Sequence, residues 1–450
     1  MSSLIENKLE QLRQHFNAAP YLNFPIEKVP EHPKELCPYD ITTAFYRRDR
    51  RVIDTQDRII LDAGCGTGYK SLALAKANPG AKIVGVDLSD TSVEMSRQRL
   101  NYQQIENCEF HAMPLERIAE LGIKFDYINC DEVLYLVPDP IAGLRAMQSV
   151  LKPDGIIRVN YHSEYGRRLF RSAQNLFAKL GCMQGTPNTD EIALVRQTME
   201  AMHHDVTLKL IWSRSCLEDD ETILANFLLQ NDKSWSVEEF LASLHSANLS
   251  FYSMVEWWEW ELLGLFDIDE LPFEAIMQIA ELSQEDHLIL CESTHWQRRL
   301  LDLWCGHPQD HVSSSPAEDW SKSVLFSSMI HFHPRLRCDP IFQDDLRDCA
   351  VTGKMLDLSF YLRPNQIKPE AVLIDSMTAS IFLPLLERAH QVQDLVHRWT
   401  HLRPINPVTM EPSTPEDAFE ALQQIVMHLE NLGYIMLEDT LSTNPKTFLG

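Results

Sequence analysis

A glycine-rich stretch near residue 65 carries the clearest chemical signal in the sequence. An apolar run ends at Leu61, Asp62 follows it, and glycines stand at positions 64, 66 and 68. Glycine has no Cβ atom, so a ligand can approach the main chain closely at such a turn. The free amides at the start of the next helix suit a carboxylate or a phosphate. Asp62, at the carboxyl end of a strand, suits a cationic group.

A second acid stands at the end of the next apolar run. Asp87 follows Val86 and lies 25 residues after Asp62. A carboxylate at this place can accept hydrogen bonds from both hydroxyls of a ribose, and it repels a 2′-phosphate. The two acids and the turn therefore predict a site for a nucleoside-containing cofactor.

The spacing separates two classes of such cofactors. The dinucleotide fingerprint G-x-G-x-x-G would need glycine at position 69, where Tyr69 stands. Acids at 62 and 87 with glycines at 64, 66 and 68 instead resemble class I S-adenosylmethionine (SAM)-dependent methyltransferases. The segments 125–135 and 151–155 are similar to the fourth strand and to the turn before the fifth strand of that family. The resemblance covers about residues 58–160.

This resemblance implies that SAM is the cofactor, with the turn holding its methionine part and Asp87 its ribose. The family often has an acid for the adenine amine near residues 112–114, and none is in register here. We therefore expect backbone groups and Met113 to hold the adenine. The predicted cofactor-binding residues are Tyr46, Asp62, Gly64, Cys65, Gly66, Gly68, Asp87, Leu88, Met113 and Cys130.

Candidates for the reaction itself follow strands four and five. Tyr135 and His162 are predicted as catalytic residues that position the acceptor, with His162 placed where a general base could sit. Asp131 and Glu132 could steady a sulfonium or grip an amine, or they could be ordinary loop acids. Tyr46 is expected to close an N-terminal arm over the cofactor.

Strand-like and helix-like segments alternate from Arg58 to Asn160. This pattern predicts an α/β fold, a Rossmann-like and mainly parallel sheet with helices on both faces. We predict an N-terminal helix and proline-rich arm over 1–55, a SAM-binding methyltransferase domain over 56–265 with a helical cap insert at about 163–230, a helical segment over 266–310, and a C-terminal α+β domain, similar to a winged helix, over 320–450. Residues 308–319 are the predicted linker.

Two further clusters have a structural and a functional interpretation. Trp257, Trp258 and Trp260 alternate with acids at 256, 259 and 261, which could cage an alkylammonium group or simply pack a strand. Cys305, His307 and His311 are the nearest approach to a metal motif. They lack a second ligand cluster, so no metal site is expected.

The composition limits partners and location. The formal net charge is −25, which disfavours nucleic acid as a partner. No signal peptide is recognised and no run of about 18 apolar residues exists, so no membrane partner is expected. Ten scattered cysteines without a CxxC pair suit reduced thiols, and the predicted location is the cytoplasm.

The predicted function is transfer of a methyl group from SAM to a small molecule or a protein. A small molecule is slightly favoured, because a large cap implies an enclosed pocket. The sequence leaves a homodimer open. Two alternatives remain at this stage: a nucleotide-dependent oxidoreductase, and a non-catalytic SAM-binding regulatory protein that docks a partner.

Overall fold

A large, mainly parallel sheet forms the centre of the first 306 residues. The computed structural model describes residues 2–18, 20–21, 24–185, 187–230, 232–295, 298–308, 316–362 and 371–439. The strands of the large sheet are β1 Ile59–Ala63, β2 Lys82–Asp87, β3 Cys108–Ala112, β4 Phe125–Cys130, β5 Leu151–Ser163, β6 Ser234–Trp235, β7 Ser250–Met254 and β8 Leu300–Gly306. Their order is β3-β2-β1-β4-β5-β8-β7, with β6 beside the end of β5.

Strands β1 to β5 run parallel, and β8 enters antiparallel between β5 and β7. Every residue of β4 is buried, as expected for a strand covered by helices on both faces. Because parallel strands end at the same edge, the loops after β1, β2, β3 and β4 meet there. This geometry confirms the predicted α/β fold with its mainly parallel sheet.

Helices cover both faces of the sheet and form the arm and the insert. They are α1 Ser2–Ala18, α2 Pro33–Leu36, α3 Ile41–Asp49, α4 Tyr69–Ala77, α5 Asp90–Tyr102, α6 Pro140–Val150, α7 Glu164–Lys179, α8 Thr189–Ala201, α9 Arg214–Glu218, α10 Asp220–Asn226, α11 Val237–Ser246, α12 Phe273–Ala280 and α13 Gln284–Thr294. Helices α7 to α10 have a core of their own, built around Phe177 and Phe227. The predicted cap region is therefore helical.

One segment differs from the sequence prediction. A helical segment was predicted over 266–310, but Leu300–Gly306 is a strand. Its apolar residues form a continuous run, and periodicity cannot distinguish a strand buried on both faces from a buried helix. The large sheet thus extends beyond residue 265. The neighbouring strand β7 ends at Met254, and a short helical turn follows at Trp257–Glu259.

The arm is also more ordered than its prolines suggest. Helix α3 is almost fully buried between the sheet and the C-terminal domain, with Phe45 at its centre. Asp40 caps its start by accepting a hydrogen bond from the Thr42 amide at 3.0 Å. The predicted extended arm therefore contains a core helix.

A separate α+β domain follows residue 316. Its helices are α14 Lys322–Ser327, α15 Pro334–Arg337, α16 Pro340–Thr352, α17 Ser359–Leu362, α18 Ser376–Phe382, α19 Val392–Leu402 and α20 Pro415–Asn431. Its strands are β9 Met329–Phe332, β10 Leu356–Asp357, β11 Leu373–Ile374, β12 His390–Gln391 and β13 Ile435–Glu438. The predicted closing helix and strand are present as α20 and β13, while the likeness to a winged helix stays a prediction.

Some predictions fall partly on residues 309–315 and 440–450, which lie outside the described residues. They include most of the linker and His311. Among the described residues, no helix combines the length and the apolar character that a membrane crossing requires.

Candidate cofactor site

The turn after β1 requires glycine, because of its backbone angles and because neighbouring atoms leave no room for a Cβ atom. Gly64, Gly66 and Gly68 all have positive φ angles, of 87°, 51° and 82°. A Cβ atom on Gly64 would lie 2.2 Å from Val133 Cγ2, and one on Gly68 would lie 2.8 Å from the Cα atom of Ser96. Only glycine fits these positions without displacing the loop after β4 or helix α5.

Asp87 is fixed at the floor of a pocket above this turn. Its carboxylate accepts hydrogen bonds from the amides of Gly66 at 2.9 Å and Ser89 at 2.8 Å. Burial raises the pKa of Asp87, while these amides oppose the rise. Carboxylate lone pairs remain for a ligand, and the contact of Asp87 with a ribose stays a prediction.

The pocket has a volume of about 900 Å³. Its wall includes six of the predicted cofactor residues: Gly64, Cys65, Gly66, Asp87, Leu88 and Met113. Four other groups of the wall were not predicted from the sequence, namely the α1 face with Leu9, Leu12 and Phe16, and the side chains of Tyr21, Lys70 and Glu116. The α1 face is visible in the sequence only as ordinary helix amphipathicity.

Three predicted cofactor residues support the pocket from outside its wall. Asp62 is buried and accepts hydrogen bonds from Ser71 Oγ at 2.6 Å and Asn129 Nδ2 at 2.9 Å. Gly68 begins helix α4, and Cys130 is buried within β4. All three residues support the turn or the sheet edge, and their contact with the cofactor stays a prediction.

Tyr46 also lies outside the pocket, contrary to the prediction that it closes the arm over the cofactor. Its hydroxyl donates to Glu430 Oε1 at 2.7 Å and accepts from the Leu437 amide at 2.9 Å. Tyr46 therefore joins α3 to the C-terminal domain. The sequence around Tyr46 does not indicate whether its side chain faces the cofactor pocket or the C-terminal domain. The tyrosine of the arm that lines the pocket is Tyr21.

A buried set of charges follows β4 at the pocket wall. Lys70 Nζ lies 2.9 Å from Asp131 Oδ2 and 3.4 Å from Glu132 Oε2. Arg299 forms an ion pair with the other oxygen of Glu132. Burial alone would raise the pKa values of both carboxylates, but Lys70 and Arg158 hold the pKa of Asp131 below its ordinary range, and Lys70 and Arg299 do the same for Glu132. Asp131 and Glu132 are therefore ionised and paired.

Glu132 has a left-handed backbone, with φ of 62°. This conformation costs free energy for a residue with a Cβ atom and persists where the surroundings fix it. The Glu132 amide donates to Asn160 Oδ1 at 2.7 Å, and Tyr21 Oη donates to Glu132 Oε2 at 2.9 Å. Strain held in this way beside a pocket is typical of a functional position.

Glu116 is a candidate for the acid that contacts the adenine amine, which was not found at residues 112–114. It lies on the pocket wall after β3, four residues beyond Ala112, and its Oε2 atom is buried with no hydrogen-bond partner among the described residues. A buried, unpartnered carboxylate oxygen suits a donor from a ligand. The exocyclic amine of adenine is such a donor. The hydrogen-bond acceptors of the pocket therefore fit the adenine of SAM.

The two predicted catalytic residues do not line the pocket. Tyr135 stacks on His162 with ring centroids 3.7 Å apart, and both are buried. His162 Nδ1 lies 2.6 Å from Asp232 Oδ1, and Arg299 lies 3.3 Å from His162 Nε2. Burial lowers the pKa of His162. In this arrangement His162 supports Arg299 and Tyr135 packs against it, and the catalytic roles of both residues stay predictions.

The fold and the pocket together define a class. A mainly parallel sheet, a glycine turn after β1, a ribose acid after β2 and an acid after β3 are the parts of a Rossmann-like protein that binds a nucleoside cofactor.

Comparisons with known proteins specify the class. Residues 54–224 match the family described as "Methyltransferase domain". A ubiquinone biosynthesis O-methyltransferase of Bordetella avium is 38% identical over 101 residues, which cover 22% of this chain and 41% of that protein. An uncharacterized protein of Synechococcus sp. is 27% identical over 285 residues, 61% of this chain and 64% of that protein. The chain thus spans less than two thirds of the length of these curated relatives.

The structure of PKMT2 from Rickettsia typhi has the same fold. It aligns with a TM-score of 0.61 and 17% identity over 91% of this chain and 77% of that one, and PKMT2 is also known in complex with AdoHcy. The chain therefore contains a class I SAM-dependent methyltransferase domain, whose cofactor is S-adenosylmethionine. This confirms the predicted resemblance and cofactor, and nothing in the comparisons supports the oxidoreductase or the non-catalytic alternative.

Proposed function

We propose that the whole chain is a SAM-dependent methyltransferase whose acceptor is a protein side chain. The charge of the cofactor pocket is the observation that supports methyl transfer from SAM. Its wall holds four carboxylates (Asp87, Glu116, Asp131 and Glu132) and one ammonium (Lys70), a formal balance of −3. A wall of this charge favours a sulfonium cofactor and disfavours a pyrophosphate.

When bound, SAM supplies a methyl group on a positively charged sulfur, so the reaction needs no strong base. The protein aligns the cofactor and keeps water out. Asp87 holds the ribose and Glu116 accepts from the adenine. Lys70 presents an ammonium near the turn, which suits the cofactor's carboxylate.

Helix α1 forms the cover of the pocket. Leu9, Leu12 and Phe16 give it an apolar face, and Asn17 Oδ1 accepts a hydrogen bond from Ser89 Oγ at 2.6 Å. An apolar cover lowers the local dielectric and strengthens each charge interaction below it. The arm therefore excludes water from the cofactor.

The place of the helical insert bears on the acceptor. The preference for a small molecule depended on a cap that encloses a pocket, yet no described residue of 163–230 lines the cofactor pocket. The alignment with PKMT2 covers 91% of this chain, including the C-terminal domain, while the O-methyltransferase of Bordetella avium matches only 22%. The absence of the insert from the described pocket wall leaves room for an acceptor larger than a metabolite, and the shared fold of the C-terminal domain gives such an acceptor a further surface to contact.

The test is to incubate the purified protein with cell extract and methyl-labelled SAM, and to count label in the protein and the low-mass fractions. We expect label in protein. Label found only at low mass would refute the protein acceptor while supporting methyl transfer. Absence of transfer to either fraction, together with no calorimetric binding of S-adenosylhomocysteine, would refute the whole proposal.

Asp87→Ala gives the matched variant for that experiment. Loss of the ribose contact should weaken binding of S-adenosylhomocysteine about hundredfold, as expected for a hydrogen-bonded charged group. Asp90→Ala is the control, because Asp90 lies three residues further on, at the exposed start of α5. Equal affinity of the two variants would contradict the role of Asp87.

A further inference from the structure

A second cavity lies where the arm, the segment after β7 and the C-terminal domain meet. We call it the junction pocket. It has a volume of about 460 Å³, and its wall includes Cys37, Glu256, Trp257, Trp258, Trp304 and His333. Three indole rings and one carboxylate thus face one small space outside the cofactor site.

The aromatic walls are fixed in place. Trp257 Nε1 donates to the Asn431 carbonyl at 2.8 Å, and Trp304 Nε1 donates to Tyr127 Oη at 3.0 Å. The rings of Trp257 and Trp258 meet edge to face, with centroids 4.6 Å apart. Rigid rings lose little conformational entropy when a ligand binds against them.

Glu256 is the half-buried acid on the wall of the junction pocket. Its carboxylate forms no hydrogen bond and no ion pair with the residues that the structure describes. Burial raises its pKa to about 7, and the nearby carboxylates of Glu259 and Asp302 add to the rise. Glu256 is half-buried, and a partly desolvated carboxylate without a cation costs free energy that a cationic ligand would recover.

The cations nearest to Glu256 are engaged elsewhere. Arg298 Nε lies 2.9 Å from Glu259 Oε2, and Arg158 Nη2 lies 2.6 Å from Asp302 Oδ2. The Arg47 guanidinium stacks 4.4 Å from the centroid of the Trp257 ring. That contact shows an indole of this wall already holding a cation by its ring face.

We propose that the junction pocket binds a small alkylammonium cation, with an N-methylated ammonium preferred over a primary one. Methyl groups spread the positive charge, lower its hydration cost and extend its contact with aromatic faces. The carboxylate of Glu256 neutralises the charge. Neutral ligands of the same shape and anions lack this partner.

The position of the junction pocket connects it to the cofactor site. The Pro38 carbonyl, on the pocket wall, accepts from Arg158 Nη1 at 3.2 Å, and the next residue, Tyr39, donates from its hydroxyl to Asp131 Oδ2 at 3.1 Å. A ligand between the arm and Gly433 of the C-terminal domain should therefore also order the arm segment that holds Asp131. This inference does not depend on which acceptor the enzyme uses.

The test is calorimetry on the full chain with saturating S-adenosylhomocysteine, which occupies the cofactor pocket. The probes are choline, ethanolamine, and the neutral isostere of choline in which a tert-butyl group replaces the trimethylammonium. We expect choline to bind about tenfold more tightly than either comparison compound. Equal binding of the neutral isostere, or no binding of choline, would overturn the proposal.

Variants assign the binding to this pocket. Glu256→Gln should weaken choline about tenfold, because the charged partner is lost while the shape remains. Glu261→Gln, at an exposed acid of the same segment, is the matched control. Trp258→Leu is a second variant at a partly exposed position and should also weaken choline. Unchanged choline affinity in both Glu256→Gln and Trp258→Leu would place the binding elsewhere and refute the junction pocket as the site.

Discussion

Asp131 and Glu132 at the cofactor pocket and Glu256 at the junction pocket are carboxylates in opposite electrostatic surroundings. In the cofactor pocket, Lys70 and Arg299 pair with Asp131 and Glu132, and both acids keep lowered pKa values. In the junction pocket, Glu256 has no cation within ion-pair distance among the described residues, and its pKa rises to about 7. Both cavities are bounded on one side by the arm.

The difference shows that burial alone does not decide the charge of an acid. Desolvation raises the pKa of all three carboxylates, and a neighbouring ammonium or guanidinium outweighs it only near the cofactor. A paired wall is a stable support for a cofactor. An unpaired carboxylate in a pocket wall destabilises the ligand-free protein, and a cationic ligand can remove this cost when it binds.

The largest expected effect comes from breaking the paired side. Lys70→Met removes the ammonium between two buried carboxylates and should lower the free energy of unfolding by about 3 kcal/mol. Chemical denaturation of the wild type and the variant measures this. Lys76→Met is the control, since Lys76 lies on the same helix and forms no ion pair within the described ranges. Equal losses for both variants would mean that pairing at Lys70 contributes nothing.

The opposite sign is expected on the unpaired side. Free Glu256 titrates near 4.5 when unfolded and near 7 when folded, so the folded state loses stability as pH rises through this window. Glu256→Gln should therefore stabilise the ligand-free protein by about 2 kcal/mol at about pH 8 and by little at about pH 5. Thermal unfolding at the two pH values checks the sign. Destabilisation at the higher pH would show that Glu256 has a cation partner.

The smallest effect concerns the arm over the cofactor. Tyr21→Phe removes the hydrogen bond to Glu132 and should weaken closure by about 1 kcal/mol, seen as a severalfold higher KM for SAM with little change in kcat. Tyr102→Phe, at an exposed tyrosine on α5, serves as control. An unchanged KM for SAM in Tyr21→Phe would contradict the proposal that the arm contributes to cofactor binding.

Local signals in the sequence predicted the sheet and the turn because they depend on neighbours in the chain. The glycines at 64, 66 and 68 and the acid at 87 need only a strand, a tight turn and a helix in succession. Side chains that reach the site from distant segments gave no such signal. Tyr21 and Glu132 are 111 residues apart and meet only in the folded chain.

The residues that the structure places differently from the sequence expectation share one cause. Tyr46 and His162 are polar residues that the sequence puts near a site, and in the fold each contacts a partner far away in the chain, Glu430 and Asp232 respectively. Strand β8 was read as helix because a run buried on both faces has no period of its own.

The sequence by itself determined the class of cofactor, since a glycine turn with two strand-end acids is a local pattern with one geometry. The tertiary structure decided which acids are paired, which tyrosine of the arm reaches the cofactor, and that Glu256 is enclosed by indoles without a cation. These outcomes depend on distances between segments far apart in the chain. Electrostatic free energy varies with those distances and with burial, and neither is written in the order of the residues.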